Sequence, residues 1–484
     1  KETTMITFTI ALLALVAGYF FYGRLAERIF GPDDRPTPAL TQADGVDYIP
    51  LPTWKVFMIQ FLNIAGVGPI FGAIMGAMFG TASYLWIVLG SIFAGAVHDY
   101  LAGMLSLRNG GESLPELIGR YLGLTTKQVM RAFTVLLMML VGAVFVASPA
   151  GLLAKLTPES LDMTFWIVVI FIYYVLATML PVDKIIGKIY PVFAVALIFM
   201  AVGILVMLYV HFPALPEVWD GMQNTHPKAE TTPIFPMMFI TIACGAISGF
   251  HATQSPLMAR CMTSERHGRP IFYGAMITEG IVALVWATVA TYFFHENGMG
   301  ISDASIVVFD ISKDWLGEIG GVLAILGVVA APITSGDTAF RSARLIVADF
   351  LKLEQKSIRS RLYICIPMFV VATALLIYSL RDADGFQIIW RYFAWANQTL
   401  SVFTLWAVTV WLVRERARFR FCITLLPALF MTAVCTSYIC VAPEGLNLGL
   451  QNAGLIATGV AIVAFVWFNI WKAKYEKLRR EGRA

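Results

Sequence analysis

Charge is what this sequence has least of. Only 14 % of its 484 residues are Asp, Glu, Lys or Arg, while 58 % are hydrophobic; a soluble domain carries about 25 % charged residues. That balance excludes an ordinary water-soluble fold, and without a basic, aromatic-studded platform no nucleic-acid partner is expected. The six cysteines (Cys244, Cys261, Cys365, Cys422, Cys435, Cys440) show no C-x-x-C spacing and read as small buried apolar residues. The motifs H-E-x-x-H, G-x-S-x-G and G-x-x-x-x-G-K-[ST] are missing too, so no enzyme, cofactor or ATPase module is expected. Uphill work would have to draw on an ion gradient.

What the chain has in abundance is long apolar runs. Counting stretches of about 18 residues or more gives about thirteen spans, near 5–22, 54–79, 82–107, 129–154, 164–181, 189–211, 234–259, 270–294, 317–349, 360–380, 387–413, 419–441 and 452–472. The run Met5–Tyr22 is too long for a signal-peptide core and is expected to stay as a span. The loop after it, Gly31-Pro32-Asp33-Asp34-Arg35-Pro36-Thr37-Pro38, reads as extended and exposed.

Positive charge alternates between loops. One set carries Arg24, Arg28 and Arg35; Arg108, Arg120, Lys127 and Arg131; Lys184 and Lys188; Arg260, Arg266 and Arg269; Lys352, Lys356, Arg359 and Arg361; and Arg414, Arg416, Arg418 and Arg420. The other set holds mainly Lys155, Lys228, Lys313 and Arg381. The positive-inside rule makes the first set cytoplasmic, with the N-terminus outside and the C-terminus inside.

Two runs are interrupted where a membrane helix should be continuous: Asn63-Ile64-Ala65-Gly66-Val67-Gly68-Pro69-Ile70-Phe71-Gly72, and Cys244 through Pro256. Backbone breaks in hydrocarbon are tolerated only where protein buries them or they line a polar cavity, and interrupted spans point to a transporter's binding site. The two broken spans start five spans apart and so run in opposite directions. An all-α polytopic membrane protein with a five-plus-five inverted repeat of the LeuT kind follows, the first helix of each repeat being discontinuous. The segments expected are 1–53 (an extra N-terminal span and its loop), 54–211 (first repeat), 212–233 (extracellular loop), 234–413 (second repeat), 414–472 (two additional spans) and 473–484 (basic tail).

Ionisable residues at membrane depth are functional candidates by default. Asp337 and Arg341 share a helix face at i, i+4, and two readings stand: a charge pair tying the helix to a neighbour, or a carboxylate that cycles protons with Arg341 tuning it. Thr334 and Ser335 offer hydroxyls to a hard cation, or to the i−4 carbonyl. Asp99 follows His98, but consecutive residues point about 100° apart and need not touch; the carboxylate either accepts helix-end hydrogen bonds or couples protons. Glu279 is a lone carboxylate on an apolar helix, expected neutral and hydrogen-bonded. His251, beside Ser248, Gly249 and Gln254 in the second break, is either a satisfied core donor or a substrate contact. Asn397 and Gln398 are amides that need partners, across helices or along the pathway.

The stretches Ile64-Ala65-Gly66-Val67-Gly68-Pro69-Ile70, Val97-His98-Asp99, Arg108-Asn109-Gly110-Gly111-Glu112-Ser113-Leu114, Ile242 through His251, Asp337 through Arg341 and Asn397-Gln398 together resemble the carbon starvation protein family, CstA, in a form lacking the additional spans of its longer members. The resemblance covers the chain from about Trp54 to Ser401. It implies a bacterial inner-membrane transporter of the amino acid–polyamine–organocation superfamily, with a LeuT-like fold, associated with peptide uptake in carbon limitation or with proton-coupled pyruvate import. In longer relatives the position of His98 is often Gln and the Thr334-Ser335-Gly336 triplet differs, which leaves the coupling ion open.

The expectation is therefore a secondary active importer of a small carboxylate-bearing nutrient in the lipid bilayer. Asn63, Ala65, Gly66, Gly68, Ser248, Gly249, His251, Gln254, Asn397 and Gln398 would surround the substrate, with half-helix N-termini aimed at its carboxylate. Asp337 with Arg341, or else Asp99 or Glu279, would carry a proton. A sodium ion would instead sit among Ile64, Gly66, Thr334 and Ser335. A channel and a nutrient-sensing receptor are the alternatives.

Overall fold

A computed structural model describes residues 5–180, 186–298, 304–355, 357–381, 385–416 and 418–482; Lys184 and Lys356 of the charge pattern lie outside them. Among the described residues there is no strand. The main helices are α1 (Ile6–Phe30), α2 (Thr53–Ile64), α3 (Gly68–Ala77), α4 (Ala82–Arg108), α5 (Leu114–Leu122), α6 (Leu124–Leu156), α7 (Met163–Met179), α8 (Ile186–His211), α9 (234–241), α10 (Gly249–Ala259), α11 (Glu265–Asn297), α12 (Ala304–Leu351), α13 (Ile358–Arg381), α14 (Gly385–Glu415), α15 (Phe419–Val441) and α16 (Leu450–Arg480). Ten of the described helices are long and apolar enough to cross a membrane, and α2 with α3, bent by 54° at their break, makes an eleventh candidate. The other two expected spans are the 17-residue α7 and the fragmented α9–α10, neither of which meets that length as a continuous helix.

Apolar residues face outward on the rim and inward at the centre. In their most apolar stretches 83 % of α4 is buried but only 17 % of α16, and α8 and α16 present Val192, Val206, Leu455 and Trp467 to the surroundings. Such surfaces are stable only against lipid. The N-terminus of α1 is received by a loop: the Glu217 carboxylate accepts from the Ile6 and Thr7 N–H groups at 2.9 and 2.7 Å, satisfying donors that a helix start leaves open. The polar loop after α1 is exposed at Asp34, Arg35 and Pro36, but Thr37 and Pro38 are buried, because the Thr37 hydroxyl donates to the Met262 carbonyl at 2.6 Å.

Both interruptions exist, with narrower limits than composition suggests. The first is confined to residues 65–67: Asn63 and Ile64 still belong to α2, and the chain resumes at Gly68 in a wide turn. The second covers residues 242–248, so that His251, Gln254 and Pro256 lie within α10. The carbonyls that these breaks release are bound from neighbouring spans. Trp86 Nε1 donates to Ile242 O at 3.2 Å and Ser91 Oγ to Gly245 O at 3.0 Å, while Ser335 Oγ lies 3.1 and 2.8 Å from Leu62 O and Asn63 O. This is how irregular backbone survives at membrane depth.

The two interrupted elements lie against each other along one glycine seam. A Cβ on Gly68 would come within 2.4 Å of the Cys244 side chain, and one on Gly72 within 2.9 Å of the Thr241 carbonyl oxygen. Spaced at i, i+4, these positions let two backbones approach closely, as small residues do where membrane helices touch.

Candidate functional site

Around the second break, three spans bring ionisable side chains into one buried cluster. A wide turn at Gly90–Gly95 re-aims α4 just before His98 and Asp99. Asp99 is the hub: His98 Nδ1 lies 2.8 Å from its Oδ1 and His251 Nδ1, from α10, 2.8 Å from its Oδ2. Of the two readings of Asp99, the one with helix-end donors is replaced by two imidazole partners, and although consecutive side chains need not touch, His98 and Asp99 do, because a shared carboxylate accepts from both rings. Glu279 of α11 is not alone either, since its Oε2 stands 3.4 Å from His251 Nε2. Cys244, read from sequence as apolar filler, completes the group: its Sγ, a His251 ring nitrogen and a Glu279 oxygen all lie within 4.8 Å of one another.

Asn397 of α14 acts across helices. Its Oδ1 accepts from the Ser248 hydroxyl at 2.9 Å and from the Phe250 N–H at 2.7 Å. It thereby caps the start of α10 from a distant part of the chain. One of the N–H groups expected to face a substrate at this break is thus already taken. Gly249 is required here: a Cβ would fall 2.4 Å from Asn397 O and 2.5 Å from Ser401 N, both backbone atoms that cannot yield. Gln398 Nε2 reaches Phe239 O at 3.4 Å and Gln254 Nε2 reaches Thr253 Oγ1 at 2.9 Å, while the oxygens of both amides stay without a partner.

At the first break Ala65, Gly66 and Gly68 are buried, and all the side-chain polar atoms of Asn63 and Gln60 are buried without partners. Gln60, one turn before Asn63, was legible by its i, i+3 spacing. The expected sodium ligands separate. Ser335 Oγ faces the carbonyls of Leu62 and Asn63 rather than those of Ile64 and Gly66, whereas Thr334 Oγ1 turns back to Ala330 O and Ala331 O at 3.0 and 2.9 Å.

Asp337, one half-turn beyond Ser335, receives the Tyr190 hydroxyl at 2.5 Å and the Tyr173 hydroxyl at 3.5 Å, leaving Oδ1 unpartnered. Those tyrosines come from α8 and α7, and nothing in the local sequence announces them. Among the described residues no ion pair joins Asp337 to Arg341. Arg341 reaches Asp47 Oδ1 at 3.2 Å and the carbonyls of Ala177 and Leu180 at 2.7 and 2.6 Å, so it ties α12 to a loop and to the end of α7. Arg344 joins the same carboxylate at 3.1 and 3.2 Å. Burial alone would raise the Asp47 carboxyl, but Arg344, Arg341 and Arg260 hold it below the usual carboxylate range.

Known proteins align with this architecture. The chain is 26 % identical over 588 residues to the peptide transporter CstA of Bacillus subtilis, covering 96 % of this chain and 98 % of that one, and 45 % identical over 354 residues to an uncharacterized membrane protein of Haemophilus influenzae, covering 63 % and 95 %. Among solved structures, a manganese transporter of Eremococcus coleocola superposes with a TM-score of 0.53 over 90 % of this chain and 99 % of that one at 14 % identity. MhsT in complex with L-phenylalanine superposes with 0.54 over 85 % and 97 % at 12 %. At such identities the likeness carries the fold, that of LeuT-like transporters, and nothing finer. The relatives and neighbours whose names state an activity are transporters, not enzymes. The family model described as carbon starvation protein CstA matches residues 3–162, 155–314 and 298–438, and the chain belongs to that family.

Proposed function

We propose that the protein is a secondary active importer of a small carboxylate-bearing nutrient, a short peptide or pyruvate, across the bacterial inner membrane. The observation that carries this reading is the meeting of two broken helices at a shared seam, together with the buried polar atoms that Asn63 and Gln60 on α2, Gln254 on α10 and Gln398 on α14 keep without partners. Unsatisfied polar groups in a dry interior are costly, and a polar substrate seated between the breaks would bind them. Relatives named peptide transporters support the substrate class. On this reading residues 54–211 and 234–413 are the two inverted repeats, flanked by 1–53 and by 414–472 with the tail 473–484, and 212–233 is an outer loop. The N-terminus is outside and the C-terminus cytoplasmic. Access alternates by rocking one bundle against the other.

Because Asn397 occupies a donor at the start of α10, the substrate carboxylate is received at the first break, around Gly66 and Gly68. Ser248, Gly249 and His251 form the opposite wall. Asp337 carries the coupling proton, its carboxylate oriented by Tyr190 and Tyr173. Sodium coupling is the second reading, supported by Ser335 Oγ lying against the released carbonyls of Leu62 and Asn63, a set of hard oxygen donors.

Proteoliposomes test both. Asp337→Asn is expected to abolish accumulation driven by a proton gradient while exchange of bound substrate persists; full concentrative uptake by this variant removes Asp337 from the mechanism. A rate that is unchanged when sodium is withdrawn at fixed pH rules out sodium as the driver.

A further inference from the structure

The cluster at the second break holds more ligand atoms than its hydrogen bonds use. Cys244, His251 and Glu279 are at most 1 % exposed, yet His251 Nε2 and both Glu279 oxygens have no hydrogen-bond partner. The geometry around Asp99 decides what His251 presents. With Nδ1 donating to Asp99 Oδ2 at 2.8 Å, a neutral ring turns a bare Nε2 lone pair toward Glu279 Oε2 at 3.4 Å. Two acceptors then face each other in a low-dielectric interior with nothing positive between them. Two carboxylates, two imidazoles and a thiol meet here, and among the described residues no Lys or Arg forms an ion pair with either carboxylate.

We propose that Cys244 Sγ, His251 Nε2 and a Glu279 carboxylate oxygen form a binding site for a thiophilic divalent transition-metal ion of the zinc class. The donor set is that of a borderline-soft ion: thiolate, imidazole and carboxylate. Metal–ligand bonds of about 2.0–2.3 Å place tetrahedral donors roughly 3.3–3.8 Å apart. Cys244 Sγ, a His251 ring nitrogen and a Glu279 oxygen already lie within 4.8 Å of one another, and Nε2 itself stands 3.4 Å from Glu279 Oε2, so side-chain adjustments of about an ångström suffice. Asp99 is a positioning residue, since a carboxylate on the far nitrogen of a ligating histidine fixes its tautomer and orientation. Asn397 Nδ2, 3.5 Å from Cys244 Sγ, donates toward the sulfur that binding would deprotonate. Binding releases the thiol proton to solvent, and three protein ligands leave a fourth position open to water. The site shares His251 with the proposed substrate wall, but its test needs neither the substrate nor the coupling ion to be known.

The probe is Co2+ added to chelator-treated full-length protein in detergent, followed by displacement with Zn2+. One equivalent is expected to give a near-ultraviolet thiolate-to-cobalt charge-transfer band that Zn2+ abolishes, and Zn2+ is expected to raise the melting temperature. Cys244→Ser should remove the charge-transfer band, Glu279→Gln should weaken Zn2+ binding, and Asp99→Asn should weaken it about 10–100-fold, the effect of losing a ligand-orienting partner. Gel filtration checks that each variant stays folded. The wild-type spectrum decides even if a variant does not fold: no charge-transfer band and no shift in melting temperature overturns the site and leaves a proton shared between His251 and Glu279. A band that survives in folded Cys244→Ser places the metal on another cysteine and overturns it equally.

Discussion

Among the described residues, the buried charges around Asp47 and those around Asp99 are built on opposite plans. Around Asp47, two guanidiniums share one carboxylate, and the surplus positive charge is met by carbonyls: those of Ala177 and Leu180 bind Arg341, and Met179 O binds Arg361. The C-terminal carbonyls of α7, which its helix cannot satisfy, thereby find donors. Around Asp99 two carboxylates meet two imidazoles and no Lys or Arg among the described residues; His251 Nε2, His98 Nε2 and both Glu279 oxygens are left over. The first cluster is a fastening that joins α12, α7 and a loop. The second has vacant valences of the kind that receive a proton, a cation or a substrate group. Buried charge alone does not separate structure from function; the atoms left without partners do.

The contrast breaks most visibly if Asp47 is dispensable. Asp47→Ala strands Arg341 and Arg344 in the interior, and removing one partner of a buried ion pair costs about 3–5 kcal/mol, read as a large fall in melting temperature in detergent. An unshifted melt would mean that the carbonyls alone hold the two arginines. A smaller loss is expected in acid. The folded-state pKa of Asp47 is lowered, so its contribution is fully present above the unfolded value, about 3.9, and is lost as pH falls through the lower folded value. Melts of wild type and Asp47→Asn from neutral pH to about pH 3 should therefore converge only at the acid end. The smallest effect belongs to the other cluster. Glu279→Gln replaces a carboxyl group that has no hydrogen bond to lose, and the stability of the metal-free protein should change by less than about 1 kcal/mol. A loss as large as that of Asp47→Ala would make the Asp99 cluster a fastening as well.

Much of the framework is legible in the residues themselves. Apolar runs place the helices because a membrane helix must be apolar along its length, and Gly66, Gly68 and Pro69 betray the first break because glycine and proline disfavour a helix interior. The limits of the breaks are not legible in the same way. Pro256 sits inside α10, and the helix start at Gly249 is fixed by Asn397, 147 residues on from the Phe250 N–H it binds. The site divides likewise. Asp99, His251, Glu279 and Asp337 stand out as charges at membrane depth, but their partners do not: Tyr190 and Tyr173 look like ordinary aromatic residues, Asp47 like an ordinary loop acid, and Cys244 like a small apolar residue. Each acquires its role only through contacts between distant segments, which no local pattern encodes.

The seam between the broken helices has a mechanical consequence. With Gly68 so close to Cys244 and Gly72 to the Thr241 carbonyl that neither could carry a Cβ, the two interrupted helices are expected to move together, as a single lever. In a rocking cycle the slip planes would then fall elsewhere, where the lever meets its surroundings through a handful of hydrogen bonds: Ser335 Oγ on Leu62 O and Asn63 O, and Asn397 Oδ1 on Ser248 and the Phe250 N–H. Such bonds are individually worth about 0.5–1.5 kcal/mol, an amount that a bound solute can supply or withhold.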